Sequence, residues 1–151
     1  ALATHFLVHT REVMRHAEAP AGFSADYERG LSLLRRMLSL DRDNIRLLVA
    51  LVEICNDWFL DCYNAEEFGT LRDLVQRHRP FAEQLLRLIG ERPGEIAARQ
   101  VLSDFWKARG FSESDREKRI AYYREALRLN PNNENVQQLL ADLEGKEQDD
   151  A

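Results

Sequence analysis

Residues Gly22 to Asn44 form an approximate copy of Gly110 to Asn133, and that duplication limits the available folds more than any other feature of the chain. With one gap after Ala25, Gly22-Phe23-Ser24 falls on Gly110-Phe111-Ser112. Asp26 then falls on Asp115, Glu28 on Glu117, Arg35 on Arg124, Leu38 on Leu127, Leu40 on Leu129 and Asn44 on Asn133. A self-similar helical unit cannot bury its apolar face alone, whereas stacked neighbours can, so the duplication predicts a stacked-repeat architecture. The default role of such an array is to hold a partner.

At 151 residues the chain makes one domain, large enough to bury roughly two thirds of its unfolded surface without disulfides or metal. Apolar content of 44%, 31% charged residues and only 7 Gly and 4 Pro describe a helical, water-soluble protein. A net charge of -5 argues against broad binding to nucleic acid or to an anionic membrane, both of which begin with a cationic face. The longest apolar run, Leu47 to Val52, is far too short for a membrane span. Cys55 and Cys62 share one face of a predicted helix about two turns apart, too far to bridge each other. Free thiols in apolar surroundings suit a reducing compartment, so a cytoplasmic location is expected. With no secretory signal pattern and no initiator Met, the chain reads as a piece of a longer protein.

Apolar residues recur with helical spacing, as in Leu2, Phe6, Val13 and Ala17, or Leu31, Leu34, Met37 and Leu38. The pattern predicts helices over about 3–18, 25–40 (N-capped by Ser24), 45–62, 95–109, 114–129 and 133–145. Between them, 65–90 keeps its period straight through Pro80, which predicts a kinked or broken helix there. Asn64 with Glu67 offers a capping box for its start. The acidic tail 147–151 is expected to fray.

The segment 96–133 resembles a tetratricopeptide repeat (TPR), the 34-residue helix-turn-helix unit closed by a proline. Counting back from Pro131, Ala126 takes the small position, Tyr123 the aromatic one, Gly110 the turn glycine, Trp106 the large aromatic of the first helix and Leu102 its leucine. Pro93, taken as the closing proline of the preceding unit, starts the next at Ile96 and independently returns Leu102. The chain departs from the pattern in a short insertion between Gly110 and Arg119, in Arg42 replacing the first unit's proline, and in a second unit roughly fifteen residues too long. The resemblance implies an all-α, right-handed superhelical stack of three TPR-like helix pairs plus a C-terminal capping helix. Its single domain would span 1–146, with units of about 8–44, 45–95 and 96–133 and a cap over 134–146.

In such arrays the first helices line a concave groove. Carried over residue by residue, the resemblance implies a groove of His9, Glu12, Val13 and His16 from the first unit. Arg46, Val49, Ala50, Glu53 and Asn56 come from the second; Ala97, Gln100, Val101, Asp104 and Lys107 from the third. The last helix would add Asn135, Gln138 and Asp142. Chaperone-binding members grip a C-terminal carboxylate with basic and amide side chains, but this chain puts Ala97, Gln100, Val101 and Asp104 at those positions. Carboxylates at Glu12, Glu53, Asp104 and Asp142 would repel a free carboxylate and favour a basic or mixed peptide.

Other constellations weigh less. His5, His9, Glu12 and His16 fall on one helical stripe and have zinc-like spacing, yet Phe6 stands where a zinc hydrolase needs its Glu, so groove or surface polarity is favoured over a metal site. Cys55 and Cys62, beside Trp58, Phe59 and Tyr63, read as buried core because no local Lys, His or helix N-terminus would activate a thiol. Arg72, Arg77, His78, Arg79, Arg87 and Arg92 read as a solvated outer face, the alternative being a docking surface for an acidic partner or RNA. No nucleophile triad, phosphate loop or paired-carboxylate motif is present, so neither an enzyme nor a cofactor is expected. The sequence therefore points to a non-catalytic scaffold binding a peptide or partner domain, not nucleic acid or membrane, with self-association through the end helices as a further expectation. The alternatives are a regulatory or docking domain of a larger enzyme and a metal-sensing domain built on the histidine stripe.

Overall fold

A computed structural model describes the backbone of residues 20–92 and 94–149 and the side chains of 24–92 and 94–145. The described residues are all-α, with six helices and no strand. The helices are α1 (Pro20–Leu40), α2 (Ile45–Asn64), α3 (Phe68–Ile89), α4 (Ile96–Phe111), α5 (Arg116–Leu129) and α6 (Glu134–Asp149). The expected helix over 3–18 lies outside the described residues, and with it the histidine stripe, Glu12 and Val13.

The duplication in sequence is matched at the turns that end α1 and α5. Asn44 N donates to Asp41 O at 3.3 Å, and Asn133 N donates to Asn130 O at 3.2 Å. Each asparagine then N-caps the following helix, Asn44 Oδ1 accepting from Leu47 N at 3.1 Å and Asn133 Oδ1 from Val136 N at 3.4 Å. The short amide side chain satisfies a helix donor that otherwise lacks a partner, so equivalent residues set equivalent helix starts. The copies diverge at Leu40 and Leu129. Leu40 is 89% exposed, whereas Leu129 is buried and its carbonyl accepts from Arg99 Nε of α4 at 3.2 Å.

Several local expectations are corrected. α1 begins at Pro20, not at a Ser24 cap, so Ser24 lies inside the helix. Proline is well suited to a first turn, where its missing N–H would have no partner and its φ is already helical. Within 65–90 a single helix, Phe68–Ile89, runs through Pro80, so of the kinked or broken alternatives the break is excluded. Pro80 removes one rung by giving no N–H to Gln76 O, but Leu71, Leu74, Val75, Ala82, Leu85 and Ile89 form one buried stripe on both sides of it. Burying that stripe outweighs a local loss of about 3 kcal/mol.

The Asn64/Glu67 capping box is not formed. Asn64 is the last residue of α2, and Glu67 precedes α3 without a side-chain cap bond. Instead Glu67 N donates to Cys62 O at 2.9 Å and Glu66 N to Tyr63 O at 3.1 Å, with Glu66 at φ 59°. That is a Schellman closure, which needs a left-handed residue. Finally, α6 runs from Glu134 to Asp149, further than the expected 133–145.

Packing runs between successive helices and, in addition, from α2 to α4. Thus α2 packs against α1, α3 and α4; α4 packs against α2, α3 and α5; and α6 packs against α5. Phe59 of α2 meets Phe105 of α4 edge-on at 5.5 Å between ring centres, while Tyr27 of α1 stacks on Trp58 of α2 at 5.3 Å. Tyr27 also donates to Asp61, whose carboxyl is held above its ordinary value by burial, the hydrogen bond pulling the other way. Cys55 and Cys62 are free and buried, as expected.

Between α4 and α5 the backbones approach closely. Gly110, expected as a turn glycine, lies in the last turn of α4, where an added Cβ would stand 2.2 Å from Cε1 of Tyr123. Ala126 is fully buried nearby, its carbonyl accepting from Ser103 Oγ at 2.7 Å.

Candidate functional site

The groove residues expected from α2, α4 and α6 are partly brought together. Asn56 of α2 donates from Nδ2 to Val101 O of α4 at 2.9 Å, which ties the two helices at mid-length. Beside this bond a small cavity of about 100 Å³ is lined by Asn56, Asp57, Leu60, Asp104, Lys107 and Phe111. A wider one of about 430 Å³ follows along α4, lined by Gln100, Asp104, Asn130, Asn132, Glu134 and Asn135. Asp104 lines both, so Asn56, Lys107, Asp104, Gln100 and Asn135 share a continuous surface.

Asp104 is held in place from two sides. It accepts from Asn133 Nδ2 at 3.0 Å, and Lys107 Nζ approaches it at 3.7 Å. Asn133 also donates to Ser103 Oγ at 3.0 Å, linking the α6 cap to the buried face of α4. Ser103 is a site-positioning residue that sequence reasoning missed, because it lies on the face of α4 turned away from the expected groove. Asn56 Oδ1 is the buried side-chain polar atom that lacks a hydrogen-bond partner among the described residues. An unsatisfied amide oxygen costs about 1–3 kcal/mol.

The remaining expected residues are more scattered. Arg46 and Ala97 are exposed and line neither cavity. Glu53 is half-buried on α2, and Gln138 is exposed and donates to Asp142 at 2.8 Å within α6. His9, Glu12 and His16 lie outside the described residues.

A second concavity, of which the sequence flagged only Arg87, is larger at about 580 Å³ and shares no residue with the first surface. Leu38 of α1, Leu48 of α2, and Pro80 and Phe81 of α3 line it, with Arg35, Arg42, Asp43, Gln84 and Arg87 around them. Behind Arg35 lies His78, which is buried and so corrects its expected place on a solvated face. Its Nδ1–H donates to Leu74 O at 2.8 Å, leaving Nε2 to face Arg35 Nη1 at 3.4 Å. Burial, with Arg77 and Arg35 nearby, holds the His78 imidazole below its ordinary value, so it stays neutral beside the guanidinium.

Among the described residues no group of His, Cys, Asp or Glu is arranged to hold a metal ion, and no helix is long and apolar enough to cross a membrane. No protein-family model matches the chain, and no curated protein matches it as a relative.

Proposed function

We propose that this protein is a non-catalytic scaffold that binds a basic or mixed peptide, or a partner domain presenting one, along the α2–α4 surface. In this reading the helices form a right-handed superhelical stack of divergent TPR-like pairs, closed by α6. The observation that carries it is the meeting of two cavities at Asp104, which sets Asn56, Gln100 and Asn135 along one face. Amide side chains there offer both donors and acceptors to an extended peptide backbone. Asp57, Asp104 and Glu134 give the face a negative sign, with Lys107 as its one lining cation among the described residues. Complementary charge steers a cationic segment to such a surface and suppresses acidic competitors. The buried thiols fit a reducing, cytoplasmic setting.

A peptide array in which net charge varies independently of apolar content tests the reading. Retained peptides should carry net positive charge, and Asp104→Lys should weaken them about tenfold or more, equivalent to about 1.4 kcal/mol. Retention that is indifferent to charge, or unchanged in Asp104→Lys, would refute it.

A further inference from the structure

We propose that the cleft between α1 and α3 is a second ligand site, one that takes an acidic peptide segment carrying an apolar side chain. Its volume, about 580 Å³, lies in the range of formed ligand pockets, and its floor is apolar, with Leu38 and Leu48 buried and Phe81 half-buried. Three guanidiniums, Arg35, Arg42 and Arg87, stand around that floor, with Asp43 as the only carboxylate in the lining.

The local charge is not neutralised from within. Asp43 is engaged by Gln84 Nε2 at 2.7 Å, and Arg87 donates to the neutral Gln84 Oε1 at 2.5 Å. Arg35 reaches Glu28 at 3.4 Å, but that carboxylate is shared with Arg77. Arg42 has no hydrogen-bond or ion-pair partner among the described residues. A cationic rim over an apolar floor, on a chain of net charge -5, is the complement of carboxylates flanking a leucine or an aromatic ring.

Nucleic acid fits less well. The arginines that would extend a phosphate track along α3 are occupied, Arg77 by Glu28 and Arg79 by Glu83 at 3.2 Å. An apolar floor also has no use for a phosphate backbone.

The site is independent of the α2–α4 surface, and its test separates the two. On an array of 12-residue peptides the cleft should retain sequences that are net negative and contain Leu, Phe or Trp. Replacing that residue by Ser in the peptide should weaken binding about tenfold or more, and so should Arg42→Glu with Arg87→Glu in the protein. Both arginines are exposed, so the melting temperature of the double variant should match wild type. Ser39→Trp, which fills the cleft from an exposed position without changing charge, should also abolish binding. Asp104→Lys should leave the acidic peptides bound. The proposal is overturned if no acidic peptide is retained, if retention ignores the apolar residue, or if either cleft variant binds as wild type. It is equally overturned if poly(U) RNA binds more tightly than the peptides with the same dependence on Arg42 and Arg87.

Discussion

Gly110→Ala isolates the close approach on which the α4–α5 pair is built. Alanine gains about 0.8–1 kcal/mol of helix propensity over glycine, so in an open helix it would stabilise. Here its methyl group would stand 2.2 Å from Cε1 and 2.6 Å from Cδ1 of Tyr123, a ring only 2% exposed. Overpacking a filled core costs about 1–3 kcal/mol, and contacts this short belong at the upper end. Subtracting the propensity gain leaves a net loss of about 2 kcal/mol, which lowers the melting temperature by about 4–8 °C for a domain of this size. Urea denaturation of Gly110→Ala, of Tyr123→Leu and of the double variant measures the coupling. In the Tyr123→Leu background the alanine should cost far less, or stabilise. A Gly110→Ala protein as stable as wild type, or one with the same loss in both backgrounds, would refute the steric reasoning.

The two asparagine caps should differ in weight. Asn44→Ala should cost about 1 kcal/mol in urea denaturation, the usual loss for a cap, whereas Asn133→Ala should cost about 2–3 kcal/mol because its amide also serves buried Ser103 and Asp104. For Asp61, burial raises the folded pKa, so the carboxylate's contribution is most favourable below the unfolded value near 3.9 and is lost as pH rises through the folded value. The stability of Asp61→Asn relative to wild type should therefore grow between pH 3 and pH 7 in thermal melts, and a constant difference would contradict the assignment. Burial also pushes Cys62 up to about 11 and Cys55 higher still, so Ellman's reagent at pH 8 should label both thiols only as fast as the protein opens. Rapid labelling in native buffer would show the thiols to be accessible.

How far the sequence could be read depended on whether the deciding interactions were local. The turns at Asp41–Asn44 and Asn130–Asn133 were legible because cap, turn and first helical donors lie within a few residues of one another. Gly110 was expected as a turn glycine, and its close approach to Tyr123 emerges only once α4 and α5 have packed. At Pro80 the break was left open because propensity counts the lost rung but not the buried stripe on either side of it, which keeps the helix continuous. The Asn64/Glu67 box failed because a Schellman closure at Glu66 satisfied the same backbone groups first. Of the basic cleft only Arg87 was legible, within an arginine series read mainly as a solvated face; Arg35, Leu48 and Phe81 join it from three helices and meet only after α1, α2 and α3 have packed. His78 was placed on a solvated face for the same reason: its arginine neighbours in sequence concealed a side chain turned inward.

The two surfaces give the protein opposite local charges on separate parts of one helical array. Asp104 and its amide neighbours lie between α2, α4 and α6, and the guanidinium rim lies between α1 and α3. If both proposed sites bind their segments, the protein would hold a basic and an acidic segment at once, with each kept from the other's site by charge.

The central claim, that the α2–α4 surface is where a partner binds, is most directly tested by NMR titration of the labelled protein with the tightest basic peptide from the array. The account predicts that the side-chain amide signals of Asn56, Gln100 and Asn135 shift together and saturate at a common affinity, while the Gln84 amide in the basic cleft stays still. Saturating shifts confined to Gln84 and its neighbours, with the three groove amides unmoved, would contradict it.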